Sequence, residues 1–333
     1  MQQDDPMICT PNLADAINYH PLIVSPETPL LDVIARMSQT LFSTCTLESA
    51  PHSSAEKSVA LPYSEEKTVL PRPTCALILE GQEILGIITE RDIVRVAAAG
   101  MNCDQVVAAD VMVYPVKTLP LDDCKDIFAV LFLFRRYQIR HLPIMDAQNR
   151  LVGIAEPSGL RKVLKPANLL KWRRVSEVMT TTVIHAPLTA SVLSLAQLMV
   201  EHRVSCVVIV ESALEEGLKP VGIVTERDIV QFQAMQFDIS KITAERVMSS
   251  PLFLLSPQDS LWAAHLEMQQ RRVRRLVVSW NWGQGLGIVT QTSLLKVFDP
   301  LEMYSIIETL QQTIQQLEAE KSVGWRRTNA EVG

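Results

Sequence analysis

Apolar and polar positions along the chain follow a recurring order of helix, strand, strand and helix. Two segments place apolar residues at the i, i+3, i+4 and i+7 spacing of one helix face. They are Ile127, Val130, Leu131 and Phe134 in one segment and Val192, Leu195 and Met199 in the other. Short apolar runs at 142–144, 206–210 and 276–278 predict strands, each followed by a strand that contains glycine and by a second helix such as 228–234. These are α/β units (α+β repeats) whose sheet must be covered by helices on its apolar face.

The units repeat four times with a nearly constant period. Each contains a glycine strand, at Gly86, Gly153, Gly222 and Gly287, and the separations are 67, 69 and 65 residues (153 − 86, 222 − 153, 287 − 222). Three units also open on Val-Met, and these methionines are Met112, Met179 and Met248. Ile17 takes that position in a weaker first copy. Because two landmarks keep the same period, we predict four tandem repeats.

The landmarks divide the chain into two pairs of repeats. The predicted bounds are 1–166 for the first pair, with repeats at about 10–100 and 106–166, and 170–298 for the second, with repeats at about 172–236 and 241–298. A proline follows each opening segment, at Pro26 in the first repeat and Pro120 in the second. From this proline to the glycine the first repeat spans 60 residues (86 − 26), against 33 in the second (153 − 120). The excess is rich in proline, serine and glutamate and predicts an inserted loop at about 43–73.

A different pattern follows the last repeat. Apolar residues alternate by four and three at Met303, Ile307, Leu310, Ile314 and Leu317. This is the a/d spacing of a coiled coil, predicted as a helix at 299–321 with a tail at 322–333. The pattern lasts little more than two heptads, so a terminal helix packed on its own domain stays an equal interpretation.

Composition excludes several classes of protein. The 333 residues carry a net charge of −6 and are 47% hydrophobic, which is typical of a folded cytoplasmic protein and not of one that binds nucleic acid through a basic face. The longest apolar run, 127–134, is too short to span a membrane, and the N-terminus has no secretory signal pattern. Six scattered cysteines without a C-x-x-C pair predict reduced thiols, with neither a disulfide framework nor a metal site.

One motif occurs twice with almost the same letters. It reads GIITERDIV at 86–94 and GIVTERDIV at 222–230, at equivalent positions of the first and third repeats. Its threonines and aspartates, three residues apart where a strand passes into a helix, suit a helix cap of the capping-box type. Repeat four has Ser293 and repeat two has Gly159 at the aspartate position, so the fold does not need the acid. A carboxylate there can instead accept hydrogen bonds from ribose hydroxyls, with phosphate near the helix N-terminus.

The Val-Met openings and the closing TERD motifs, four repeats in register, resemble CBS (cystathionine β-synthase) repeats over about residues 10–298. The resemblance implies four CBS repeats forming two Bateman modules, followed by the C-terminal helix. In that family the aspartate binds ribose hydroxyls and the threonine helps to hold ribose or phosphate. Those roles fall on Thr89, Asp92, Thr225 and Asp228.

Basic pairs alternate with the acids. Arg140 and His141 precede the middle strand of repeat two, and Arg274 and Arg275 precede that of repeat four. In nucleotide-binding CBS pairs, basic residues at this position contact phosphates in the site of the partner repeat. The resemblance therefore implies one site of Thr89 and Asp92 with Arg140 and His141, and a second of Thr225 and Asp228 with Arg274 and Arg275. Solvated charges at a helix end are the alternative interpretation.

We therefore expect a regulatory module that senses an adenine nucleotide and has no catalytic residues. AMP, ADP, ATP and S-adenosylmethionine share the recognised adenosine, and Mg2+ is a companion to consider for a bound nucleotide. A homodimer through the CBS helices and the terminal helix is expected, because the helix at 126–135 is apolar on more than one face. A signalling output protein is a further expected partner. The rival hypothesis is a degenerate CBS scaffold that dimerises and binds no nucleotide.

Overall fold

The computed structural model describes residues 12–38, 72–121, 127–164, 167–213, 217–281 and 285–298. The predicted inserted loop, apart from its last two residues, and the predicted C-terminal helix and tail lie outside these ranges.

The first pair of repeats has the predicted order of elements. Its elements are β1 Ile17–Asn18, β2 Leu22–Val24, α1 Leu30–Ser38, β3 Cys75–Glu80, β4 Glu83–Thr89, α2 Glu90–Ala98, α3 Ala108–Val111, β5 Leu119–Pro120, α4 Ile127–Tyr137, β6 Leu142–Met145, β7 Leu151–Ala155 and α5 Pro157–Leu164. The helix stripe predicted from the sequence is confirmed in α4, where all four of its residues are buried.

The second pair repeats this order after a short connecting helix, α6, at Ala167–Trp172. Its elements are β8 His185–Pro187, α7 Val192–Glu201, β9 Cys206–Ala213, β10 Gly217–Thr225, α8 Glu226–Ala234, α9 Ala244–Val247, β11 Leu254–Leu255, α10 Leu261–Gln270, β12 Arg275–Trp280, β13 Gly285–Thr290 and α11 Gln291–Leu294. Leu170 of α6 is buried in the core of the fourth repeat, so the segment between the pairs is a packed element.

Each repeat contributes one small mixed sheet. Its first strand runs parallel to the middle strand, and the middle strand is antiparallel to the last, as in the order β2-β3-β4 and its counterparts. The first and third repeats share their register, with Cys75 opposite Thr89 and Cys206 opposite Thr225. Every TERD motif therefore begins where the last strand meets the start of the middle strand.

The opening segment of each repeat joins the sheet of its partner. Strand β1 of the first repeat pairs with β7 of the second, and Val113 of the second bridges Ile87 of the first. The second pair exchanges segments in the same way, through Thr180 with Ile288 and Ser249 with Ile223. This exchange joins the two repeats of each pair through backbone hydrogen bonds.

The two sequence landmarks meet at these exchange points. A Cβ added at Gly86 or Gly222 would overlap the side chain of Met112 or Met248 from the partner repeat. At Gly153 it would overlap Ile17, which confirms that Ile17 stands in the methionine position of the first repeat. The glycine and the methionine recur with one period because each packs directly on the other.

The four repeats form a closed ring within one chain. Sheets of repeats one and two meet through Leu77 and Ile154, and those of repeats three and four through Val208 and Val277. The two pairs meet through helices, with α2 packed on α7 and α8, and α1 packed on α8.

Because of this ring, part of the second apolar face of helix α4 is covered within the chain. Phe128 lies outside the predicted apolar stripe, on a part of the helix for which a second copy was expected to provide the covering surface. It is 9% exposed and lies in one cluster with Leu295 and Phe298 of the fourth repeat. The expectation was wrong for that residue, because the chain's own second pair supplies the covering surface. Phe132 remains 47% exposed, so the homodimer stays a prediction that rests on the outer side of α4.

Among the described residues no helix has the length and apolar character needed to cross a bilayer.

Candidate functional site

The two TERD motifs have the same local geometry. Each threonine is the last residue of a strand and the N-cap of the next helix. The backbone amide and the hydroxyl of Thr89 both donate to Oδ2 of Asp92, at 2.8 and 2.7 Å. Thr225 and Asp228 form the same pair of bonds, at 2.7 and 2.8 Å. The capping role is therefore real at both positions, and it holds each carboxylate in one orientation.

The two carboxylates differ in what reaches their second oxygen. Oδ1 of Asp92 forms an ion pair with Nη2 of Arg95 at 2.9 Å, whereas Gln231 stands at the matching position of the third repeat. Asp228 has no ion pair to another residue that the structure describes. Burial raises the pKa of Asp228 above its usual range, and Arg275 and Arg227 are the charges that oppose this rise. Asp228 is thus the more available acceptor, and it lies within the field of two arginines.

The other two repeats fill the aspartate position differently. A side chain at Gly159 would collide with the backbone carbonyl of Ala16, which belongs to a 3-10 turn at Leu13–Ala16. In repeat four, Ser293 is 4% exposed and forms a reciprocal cap with Thr290. Neither repeat can offer a ribose-binding carboxylate at this position.

The motifs of repeats one and three face each other across the ring. Nε of Arg91 lies 3.2 Å from Glu226, and Nε of Arg227 lies 3.3 Å from Glu90. The equivalent residues are 136 apart in both cases (226 − 90, 227 − 91), so these ion pairs are reciprocal about a local pseudo-twofold axis. Sequence reasoning missed this role of the Glu-Arg letters, although their exact repetition in the two motifs was a signal.

The predicted basic residues gather around this crossing. Arg274 lies 3.6 Å from Glu90, and Arg275 lies 3.8 Å from Glu226 and donates to Oγ of Ser205 at 3.1 Å. We call the following residues the central cluster. They are Glu90, Arg91, Glu226, Arg227, Arg274 and Arg275.

The central cluster holds more positive than negative charge. It has four guanidinium groups against two carboxylates, and Nη2 of Arg227 is buried with no hydrogen-bond partner among the described residues. Arg140 is also close: burial lowers the pKa of its guanidinium, and the carboxylates of Glu226 and Glu90 oppose that shift. An excess of arginine, from the exposed Arg91 to the nearly buried Arg275, together with a buried unpaired donor is a favourable environment for an anion.

His141 lies between the first and second repeats. Its Nε2 is 2.7 Å from the hydroxyl of Thr74, which donates to Oε1 of Glu156 at 2.8 Å. Burial lowers the pKa of His141, with Glu156 the largest opposing charge. The imidazole is therefore neutral near pH 7 and offers a hydrogen bond or a metal ligand rather than a positive charge.

The structure thus brings together some of the residues of each predicted nucleotide site. In the second pair, Arg275 lies in the field of Asp228, while Arg274 reaches across to Glu90 of the first pair. In the first pair, His141 is in the field of Asp92 but is hydrogen-bonded to Thr74. The predicted phosphate contacts of Arg140, His141, Arg274 and Arg275 stay predictions.

Comparison with known proteins gives consistent matches. The family model for the CBS domain matches residues 107–165, 175–234 and 244–299, more than half of the chain. These are repeats two, three and four, and the first repeat shares their order of elements.

Two curated relatives are both uncharacterized proteins. MK0525 from Methanopyrus kandleri is 38% identical over 88 residues, which are 26% of this chain and 44% of that protein. A 33.4 kDa protein from Thermofilum pendens is 29% identical over 185 residues, which are 50% of this chain and 58% of that protein. The chain spans about half the length of the curated relatives it matches.

Among solved structures, protein MJ1225 from Methanocaldococcus jannaschii, described as a candidate archaeal homologue of g-AMPK, superposes with a TM-score of 0.65. The match covers 86% of this chain and 99% of that chain at 18% identity, which is a likeness of fold.

Proposed function

The chain belongs to the CBS-domain family, and from that premise we propose that it is a regulatory module that binds an adenine nucleotide and catalyses no reaction. The ribose binds at the Thr-x-x-Asp motifs, and the phosphates point into the central cluster. The observation that carries this proposal is the excess of arginine over carboxylate beside Asp228, with Nη2 of Arg227 buried and unpaired among the described residues.

The second pair is the tighter of the two sites in this proposal. Asp228 combines a threonine-fixed Oδ2 with an Oδ1 that forms no ion pair within the described residues, so it can accept from two adjacent ribose hydroxyls. In the first pair Arg95 occupies Oδ1 of Asp92, and a ribose must displace that contact. This difference favours the scaffold alternative for the first pair only.

Phosphate binding gives the module a means of regulation. An anion in the central cluster replaces Glu90 or Glu226 as the partner of an arginine, and these acids belong to different pairs of repeats. A ligand shifts an equilibrium only through different affinities for two states. One state of the ring has the arginine–glutamate ion pairs between the two pairs of repeats, and the other has an arginine paired with phosphate instead. A nucleotide has a higher affinity for the second state.

A calorimetric titration with adenosine, AMP, ADP and ATP tests the proposal. The phosphorylated ligands are expected to bind more tightly than adenosine, with an affinity that falls as salt increases. Arg275→Ala and Arg274→Ala are expected to weaken nucleotide binding while adenosine binding changes little. Arg271→Ala is the matched control, because Arg271 is 51% exposed and paired with Glu267 outside the cluster.

Two results would contradict the proposed nucleotide binding. If the wild-type chain binds none of the four ligands at millimolar concentration, the degenerate scaffold is the better description. If Arg275→Ala lowers the affinity for adenosine as much as that for AMP, the arginine supports the fold and does not contact phosphate.

A further inference from the structure

A second potential ligand site lies between the first and second repeats. Cys75 begins β3 in repeat one, while His141 precedes β6 and Glu156 follows β7 in repeat two. One ligand atom from each of the three side chains lies within 4.8 Å of the others, and Nε2 of His141 is 3.8 Å from Oε1 of Glu156. Cys75 is 3% exposed, so the cluster is closed on that side.

The donor set is that of a zinc site. A thiolate, an imidazole and a carboxylate are the three common protein ligands of Zn2+, and three such ligands leave a fourth position for water. With bonds of about 2.0–2.3 Å, tetrahedral ligand atoms lie roughly 3.3–3.8 Å apart. The observed separations need only small side-chain adjustments to reach this geometry.

Thr74 contacts two of the three side chains, and without metal its hydroxyl lies between them. Its hydroxyl donates to Oε1 of Glu156 at 2.8 Å, which fixes the direction of that carboxylate. Outer hydrogen bonds of this kind orient metal ligands and add to their affinity. Without metal, the same hydroxyl lies 2.7 Å from Nε2 of His141, so it bridges the two groups that an ion would hold.

The second pair of repeats lacks this set at the equivalent positions. Strand register places Cys206 where Cys75 stands, Arg275 where His141 stands and Thr290 where Glu156 stands. A guanidinium cannot ligate a cation and repels it. Cys206 is therefore a matched control for Cys75, because it is a buried cysteine at the same place in the fold without the other two ligands.

We propose that Cys75, His141 and Glu156 form a zinc site that links the first repeat to the second. Sequence spacing did not predict it, because the three ligands come from three separate segments that only the pairing of repeats brings together. Bound zinc connects β3 of one repeat to both ends of the β6–β7 hairpin of the other. It stabilises the first pair, and the thiol proton of Cys75 is released to solvent on binding.

Zinc binding to the full chain can be measured by competition with a chromophoric chelator. The wild-type protein and Cys206→Ser are expected to bind one more equivalent than Cys75→Ser. Glu156→Gln, which keeps the shape of the side chain, is expected to weaken this equivalent by more than about 100-fold, since loss of outer contacts alone costs about 10–100-fold. Cobalt in place of zinc should give a thiolate charge-transfer band in the wild type and Cys206→Ser only.

Thermal unfolding supplies a second readout. Zinc is expected to raise the melting temperature of the wild type and of Cys206→Ser, but not of Cys75→Ser. Equal zinc affinity and an equal cobalt spectrum in Cys75→Ser would overturn the proposal, as would a wild type that binds no zinc. Nucleotide titration of Cys75→Ser keeps this test separate from the proposed function, because Cys75 belongs to the first pair and the tighter proposed nucleotide site lies at Asp228 in the second.

Discussion

Asp92 and Asp228 carry the same motif but have different electrostatic surroundings. Both cap a helix through their threonines, yet Arg95 neutralises one of them and Gln231 leaves the other without that partner. Burial then raises the pKa of Asp228. A helix cap needs a hydrogen-bond acceptor but not a full negative charge. The carboxylate of the partly buried Asp228 therefore exceeds what the helix cap requires, which fits the proposed ribose site.

The substitution Asp228→Asn separates the two roles. The amide oxygen keeps part of the cap, but a charged acceptor is lost from the ribose site. Hydrogen bonds to charged groups contribute about 1.5–3 kcal/mol, so AMP should bind about one to two decades more weakly at about 1.4 kcal/mol per decade. Calorimetry measures this, and unchanged affinity would show that the ribose does not bind there.

The contribution of Asp228 to the free energy of unfolding should fall as the pH rises, whereas that of an ordinary capping acid rises. The pKa of Asp228 is higher in the folded chain than in the unfolded one, so ionisation favours unfolding. Protonated Asp228 makes its full contribution to stability below the pKa that its carboxyl has in the unfolded chain. That contribution is lost as the pH rises through the higher pKa of the folded chain. Asp228→Asn should thus melt no lower than the wild type at pH 7, with the difference shrinking near pH 3.5. A clearly lower melting temperature at pH 7 would contradict this account.

At the scale of elements, close approach between repeats explains the periodic glycines. Gly86, Gly153 and Gly222 lie where the opening segment of the partner repeat crosses the sheet, and a Cβ there would overlap a side chain of that segment. Gly159 is a stricter case, because the overlapping atom is a backbone oxygen of Ala16. The N-terminal 3-10 turn thus occupies the space that the aspartate side chain has in repeats one and three.

Two alanine substitutions test this packing. Gly222→Ala should destabilise the chain by about 1–3 kcal/mol, the usual cost of overpacking. Met248→Ala in the same chain should recover part of that cost, because it removes the overlapping side chain. Gly159→Ala should cost more, because the backbone of Ala16 cannot rotate away.

Urea unfolding gives the free energies for these variants. Additive effects of Gly222→Ala and Met248→Ala would show that the glycine and the methionine do not constrain each other. A neutral Gly159→Ala would show that the turn at Leu13–Ala16 can move from its place.

At the scale of the whole molecule, the two pairs of repeats in one chain pack on each other and form a ring. Val230 of the third repeat is 3% exposed and lies in the core of the first, and Val94 of the first lies in the core of the third. The reciprocal ion pairs of the central cluster cross the same boundary. If a nucleotide binds in one pair as proposed, both apolar and charged contacts connect that pair to the other.

The predicted homodimer can be tested on the outer side of α4. We expect the wild type to have the mass of a dimer in light scattering at micromolar concentration, and Phe132→Glu to shift it towards the monomer. Circular dichroism should stay unchanged, because Phe132 is 47% exposed within the chain. Phe128→Glu is unsuitable, since that residue is buried against the fourth repeat. A monomeric wild type would defeat the prediction.

The repeat number, the order of elements and the position of both TERD motifs can be predicted from the sequence alone. Local physics is enough for these features, because apolar periodicity, strand-ending glycines and helix caps act over a few neighbouring residues. The buried stripe of α4 and the methionine position of Ile17 follow from the same local patterns.

Which residues face one another across repeats depends on how the repeats pack. The exchange of opening segments, the crossing of Glu90 and Arg91 with Glu226 and Arg227, and the meeting of Cys75 with His141 and Glu156 join segments tens of residues apart. The cause is burial, because each repeat must cover its apolar faces with another repeat, and the choice of neighbour fixes the charged contacts at their edges. The sequence carries the chemistry of each group, while packing determines its partners.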